Sequence, residues 1–147
     1  VDNALFTYVK YGAEVCSPVI EKGEADVIIS FEQLEAARWL PYLKKGGHLV
    51  VSEQMMDPMP VITDAAKYPE DILKKLADLG ADITSVDALG LAEQAGSAKA
   101  SNVVLMGVVS TKMDLPEEEW LKALEACVPP KFLELNQKAF SLGRSAS

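Results

Sequence analysis

Two acids three residues apart, Glu32 and Glu35, follow directly on the apolar run Val27-Ile28-Ile29 and its end at Phe31. The carboxyl edge of a buried strand is where α/β proteins place their sites. A carboxyl pair there has the chemistry to exchange protons with a substrate. The same acids also suit the first turn of a helix, where negative charge meets the positive end of the dipole. That second role is the expected one. His48 is the chain's single histidine. It follows Lys44-Lys45-Gly46-Gly47 and reads as an exposed turn residue, with no partner that would make it a base. Ser17 lacks both the G-x-S-x-G elbow and a histidine in reach by motif, so it is not read as a nucleophile. Cys16 and Cys127 stand far apart and form no C-x-x-C unit, which suits plain buried or half-buried thiols in a reducing compartment. Met55, Met56 and Met59 cluster in one connection. Methionine's flexible thioether suits an adaptable binding surface and core filling equally.

Several motifs are missing. No G-x-G-x-x-G follows a strand and no G-x-x-x-x-G-K-[ST] loop occurs, so neither nucleotide fingerprint is present. One histidine cannot make a two-histidine metal motif. Two isolated cysteines fall short of the four thiolates that most iron–sulfur clusters need. No catalytic, cofactor-binding or metal-binding residue is therefore assigned within the chain. The 147 residues carry a net charge of −8 and a pI near 4.6. Acidic surface does not neutralise phosphates, so nucleic acid is not an expected partner. The same charge disfavours an anionic membrane surface, and no apolar run approaches the roughly 20 residues of a membrane helix. A cytoplasmic protein is expected.

The elements that must position these residues follow from periodicity. Residues 5–11 alternate apolar and polar side chains and read as a strand. Residues 14–20 read as a return strand broken at Ser17-Pro18, hence at a sheet edge. Residues 26–31 are too apolar to alternate, the mark of a strand buried on both faces. A helix over 33–45 follows, kinked at Pro41 and capped by Gly46-Gly47. Residues 48–52 form the next buried strand, completing a βαβ unit with parallel strands. The connection 53–68 is long enough to be functional or to pack on a neighbour. A helix opening at Pro69 buries Ile72, Leu73, Leu76 and Leu79. A third strand spans 82–86, and Asp87 caps the helix 88–95. Ser101-Asn102 cap a helix over 103–111 that is apolar nearly all round and so buried. Gly107 within it costs about 1 kcal/mol against alanine, which calls for close packing on another element. Two more helices start near Pro116 and Lys131. Strand alternating with helix predicts an α/β fold: a three-layer α/β/α domain, Rossmann-like, with a mostly parallel (mixed) sheet that includes the N-terminal strands. Residues 1–147 are read as one domain.

Several segments, in order and almost from end to end, resemble the γ-type domain of 2-oxoacid:ferredoxin oxidoreductases. They include Val9-Lys10-Tyr11-Gly12, Ser17-Pro18-Val19-Ile20 and Gly23-Glu24-Ala25-Asp26-Val27-Ile28-Ile29. Phe31-Glu32-Gln33-Leu34-Glu35-Ala36 and Leu40-Pro41-Tyr42-Leu43-Lys44-Lys45-Gly46-Gly47 follow. Further on come Asn102-Val103-Val104-Leu105-Met106-Gly107, Val128-Pro129-Pro130-Lys131, Asn136 and Ala139-Phe140-Ser141-Leu142-Gly143. Indolepyruvate-type members are the most similar. The family's opening strand and its G-x-G-G-Q-G turn are not in this sequence, so the chain is expected to be N-terminally truncated relative to the family.

The resemblance implies a subunit of an enzyme that oxidatively decarboxylates a 2-oxoacid, such as an arylpyruvate, with coenzyme A, and reduces ferredoxin. It implies no cofactor in this chain. Thiamine diphosphate and iron–sulfur clusters are expected on a large partner subunit. Candidate interface residues toward that partner are Met55, Met56 and Met59, with Asn102 and Gly107. Asn102 has a simpler role as a helix cap, and Gly107 as a packing contact. The rival readings are a stand-alone Rossmann-like domain that binds a small ligand, and a complete enzyme using Glu32 or Glu35.

Overall fold

The run Leu49-Val50-Val51 shows why the sheet sits where it does. Side chains alternate between the two faces of a strand, so three consecutive apolar residues need cover on both. The computed structural model, which describes residues 5–56 and 67–147, provides it. All three residues are 0% exposed. They belong to β2 (Leu43–Ser52), which pairs in parallel with β1 (Ala25–Ser30) on one side and β3 (Asp82–Val86) on the other. Ile28, Leu49 and Ile83 are aligned across the three strands.

Helices cover both faces. Leu49 and Val51 pack among α1 (Gln33–Trp39) and α2 (Ile72–Asp78), with Ala36, Ile72 and Leu76 buried beside them. Val50 and Val86 face the other layer, built by α3 (Ala88–Ala95), α4 (Ser101–Ser110) and α6 (Leu133–Ser145). The amphipathic α5 (Glu117–Cys127) lays Trp120, Leu121 and Leu124 against that same cluster. Asp87 caps α3 as expected, its carboxylate accepting from the Gly90 N–H.

Some expectations are corrected. The helix expected over 33–45 ends at Trp39. Pro41 has no N–H to continue the ladder, and Leu40–Tyr42 forms a single 3₁₀ turn that leads straight into β2. Gly46-Gly47 therefore caps no helix but lies inside β2. There the register jumps: Ala25 pairs with Leu43, yet Val27 pairs with His48. Lys44, Lys45, Gly46 and Gly47 thus stand opposite Asp26 alone, as a β-bulge. Gly46 supplies its left-handed turn at φ 81. Leu79 is not buried. α2 ends before it, and it is 75% exposed.

Residues 5–20 form no strand among the described residues. Alternation gives a segment the right faces, but a strand also needs a neighbour to bond. Here the described sheet has three strands, all parallel, so it is not mixed. The segment instead sets Phe6 against Trp39, with ring centroids 4.5 Å apart, and Trp39 against Tyr42 at 5.0 Å.

The closest packing in the domain joins α4 to α6. A Cβ added at Gly107 would lie 2.2 Å from the Phe140 carbonyl oxygen, and one added at Gly143 would lie 2.0 Å from that of Val104. Each glycine admits the other helix's backbone, and Ala139 and Phe140 fill the crossing, at 0% and 1% exposed. Arg144 secures its end by donating to Ser110 Oγ at 2.8 Å, while Ser110 Oγ donates to the Gly107 carbonyl at 2.6 Å. Gly107→Leu sets a side chain against main-chain atoms that cannot move aside. It is expected to destabilise the domain by roughly 3 kcal/mol and to lower its Tm by about 10 °C. Thermal unfolding of the variant checks this; an unchanged Tm would contradict the crossing as described.

Candidate functional site

Where β1 ends, the chain buries a carboxylate. Glu32 is 7% exposed and stands as the N-cap of α1. A buried charge is tolerable only with hydrogen bonds to replace water, and among the described residues Glu32 has three. Oε2 accepts from the Glu35 N–H at 2.9 Å, closing the first turn of α1. Oε1 accepts from the Met56 N–H at 3.2 Å and from the Tyr68 hydroxyl. Ser30 Oγ donates to the Glu32 carbonyl at 2.7 Å and holds the backbone in place.

The stretch leaving β2 is tied to this point. The Gln33 N–H donates to the Gln54 carbonyl at 3.2 Å, and Gln33 Nε2 donates to the Glu53 carbonyl at 2.7 Å. The Glu53 N–H donates to the Val86 carbonyl at 2.9 Å, at the end of β3. Residues 53–56 are thus fastened to the carboxyl ends of β1 and β3. Met55 and Met56 project from this fixed backbone, each 61% exposed. Beside them an open groove of about 660 Å³ runs between Gln33, Met55 and Tyr68 on one side and Ile72, Leu73 and Lys74 on the other.

The structure sorts the residues expected to carry function. Met55 and Met56 lie together on the surface. Met59 lies outside the described residues. Asn102 is exposed in the first turn of α4, but the N-cap there is Ala100. Its Oδ1 accepts from the neighbouring Val103 N–H at 2.9 Å, so it does not cap the helix as expected. Gly107 is buried in the α4–α6 crossing and is closed to a partner by its own chain. Glu32 and Glu35 both have structural tasks. Glu32 is the cap, and Glu35 meets Arg38 at 3.3 Å. An acid–base pair is not what this arrangement makes.

His48 has the partner that its sequence context did not mark. Nδ1 lies 2.7 Å from Asp82 Oδ2, because the β2–β3 register sets the two residues opposite each other. This pair is at the start of the ladder, at the other end of the strands from Glu32. Sequence reasoning also missed Tyr68 and Gln33, whose roles depend on contacts 36 and 20 residues away along the chain. Cys16 and Cys127 are free thiols, and both are exposed where buried or half-buried ones were expected. Among the described residues no group of three or more His, Cys, Asp or Glu is placed to hold a metal ion. Among the described residues no helix is long and apolar enough to cross a membrane.

Three parallel strands covered on both faces by helices, with a fastened loop at their carboxyl edge, define an α/β domain of Rossmann-like form. Residues 4–146 match the family model for pyruvate ferredoxin/flavodoxin oxidoreductase, and the chain belongs to that family. It is 38% identical to the indolepyruvate oxidoreductase subunit IorB of Thermococcus kodakarensis, over 99% of this chain and 74% of that protein. It is 34% identical to the subunit of the same name from Pyrococcus horikoshii, with the same coverage. The fold is similar to the crystal structure of a keto/oxoacid ferredoxin oxidoreductase gamma subunit from Geobacter sulfurreducens. There the TM-score is 0.62 and the identity 23%, over 87% of this chain and 67% of that one.

The two acids should respond very differently to mutation. Glu32→Leu leaves the Glu35 and Met56 N–H groups without an acceptor and should cost about 2–3 kcal/mol. Glu35→Gln removes a half-exposed ion pair and should change stability by no more than about 0.5 kcal/mol. Urea unfolding of both variants measures the difference. Equal effects would mean that Glu32 does not hold the edge.

Proposed function

We propose that this chain is the subunit of an indolepyruvate-type 2-oxoacid:ferredoxin oxidoreductase that holds no cofactor of its own. The assembled enzyme oxidatively decarboxylates an arylpyruvate with coenzyme A and passes the electrons to ferredoxin. Thiamine diphosphate and the iron–sulfur clusters sit on a larger partner subunit. The observation that carries this reading is the relationship to indolepyruvate oxidoreductase subunits across 99% of the chain. The chain's chemistry agrees with that division of labour. Its buried carboxylate, Glu32, is used as a cap and a tether, and its thiols are isolated.

The role left to such a chain is assembly, and Met55 and Met56 offer a surface for it. Exposed apolar side chains set on fixed backbone mark contact sites, and methionine adapts to the face it meets. Anaerobic purification of the native full-length protein from its own cells, followed by mass spectrometry and cofactor analysis, tests the proposal. A larger iron–sulfur subunit carrying thiamine diphosphate should accompany it in fixed ratio. Recovery of the protein alone, holding a small ligand, would overturn the subunit reading in favour of an independent binding domain.

A further inference from the structure

We infer that residues 8–17 are a strap that closes into a β-hairpin, pairing Tyr8 with Ser17, Val9 with Cys16 and Lys10 with Val15 around a Gly12-Ala13 turn. The structure shows the strap open. Those same six residues, with Pro18, line an open hollow of about 420 Å³. Among the described residues, the main chain of residues 5–18 makes no hydrogen bond. The first bond beyond it runs from the Val19 N–H to Ser17 Oγ, at 3.2 Å. The bases of the two arms are nevertheless fastened at neighbouring points. Phe6 stacks on Trp39 with ring centroids 4.5 Å apart, and the Gly23 N–H donates to the Pro41 carbonyl at 3.0 Å. Closing therefore needs movement within the strap alone.

The first arm already has a strand's period without a strand's ladder. Phe6 and Tyr8, two residues apart, meet edge to face at 5.4 Å, while Leu5 and Val9 are 98% and 73% exposed. A two-residue turn of type II′ takes glycine at its first central position, and Gly12 stands at positive φ, 156. That turn sets Tyr11 opposite Glu14 and so fixes the pairs behind it, alternating between hydrogen-bonded and non-hydrogen-bonded positions. The ladder stops at Thr7 and Pro18, a hydrogen-bonded position where proline has no N–H to give. The pairs it leaves are the residues that line the hollow. A two-stranded hairpin without a third strand is marginal in water, which keeps the strap poised between open and closed. Closing fills the hollow and sorts the side chains, with Val9, Tyr11 and Cys16 on one face and Tyr8, Lys10 and Val15 on the other.

The test is disulfide trapping in the full-length protein, with every cysteine outside the probe pair replaced by serine and the bridges read by mass spectrometry in a glutathione buffer. Lys10 and Val15 are both exposed, so probes there leave the core intact. Lys10→Cys with Val15→Cys occupies a non-hydrogen-bonded pair, whose Cα atoms lie about 4.5 Å apart in a closed hairpin, within disulfide reach. Lys10→Cys with the native Cys16 closes a loop only one residue longer, but a one-residue slip puts the two thiols on opposite faces. The 10–15 pair should bridge at least about tenfold more readily than the 10–16 pair, and Gly12→Val should reduce that preference to about twofold or less, since valine does not take the turn's positive φ. Hydrogen exchange separates a poised strap from a fixed one. The amides of residues 9 and 16 should exchange within about tenfold of an unprotected chain in the wild type, and at least about tenfold more slowly once 10 and 15 are bridged. Equal bridging of the two pairs, or bridging of neither, would overturn the inference. So would a preference that survives Gly12→Val, or full protection of both amides in the wild type.

Discussion

A strand with both faces buried is the constraint from which the rest follows. Leu49, Val50 and Val51 are three consecutive apolar residues that point to both faces of the sheet, so β2 must be central and covered twice. Full burial of each such side chain is worth about 1.5–3 kcal/mol. That return depends on α1 and α2 closing one face and the α3–α4–α6 layer closing the other. Parallel pairing follows too, since a helix must cross between successive strands. With strands parallel, their carboxyl ends gather on one edge. Glu32, Glu53 and Asp87 are there because each immediately follows, or lies within two residues of, a strand end.

At that edge hydrogen bonding to buried polar groups matters more than apolar area. A carboxylate that is 7% exposed is costly unless it is fully hydrogen-bonded. The cost makes its partners obligatory: the first turn of α1, the stretch that extends β2 and Tyr68 must all arrive together. A buried charge can thereby specify geometry while adding little net stability. The small-residue crossing of α4 and α6 provides rigidity of a different kind, through main-chain contact at Gly107 and Gly143. One layer thus holds the domain in shape while the opposite edge presents a defined surface.

Much of this is legible in residue types. The runs around Val27, Leu49 and Ile83 mark the three strands, Asp87 marks a cap, and the continuous apolar character of 103–109 marks a buried helix. Gly107, an expensive residue inside a helix, points to close packing, and Phe140 is what it packs against. The differences between expectation and fold share one origin. Pro41, Gly46 and Gly47 have the residue types that end and cap helices. Whether a glycine caps a helix or kinks a strand depends on the neighbouring strand, here Asp26 of β1. The alternation of residues 5–11 likewise speaks of faces and not of a bonding partner. His48–Asp82 and Glu32–Tyr68 are long-range pairs whose meeting depends on register and loop path, and no local pattern contains either. The methionine pair stands out by composition, while the carboxylate that fixes it reads only as a helix-start acid.

The central claim is that catalysis by this family member belongs to an assembly, with this chain as a structural participant. The most direct measurement is reconstitution: titrating the full-length protein into its purified larger subunit and following arylpyruvate oxidation with coenzyme A and ferredoxin, under anaerobic conditions. The account predicts negligible turnover by this chain alone and a rate that rises with added protein and saturates at a fixed ratio of subunits. Turnover by this chain without the larger subunit, or a rate indifferent to its addition, would contradict it.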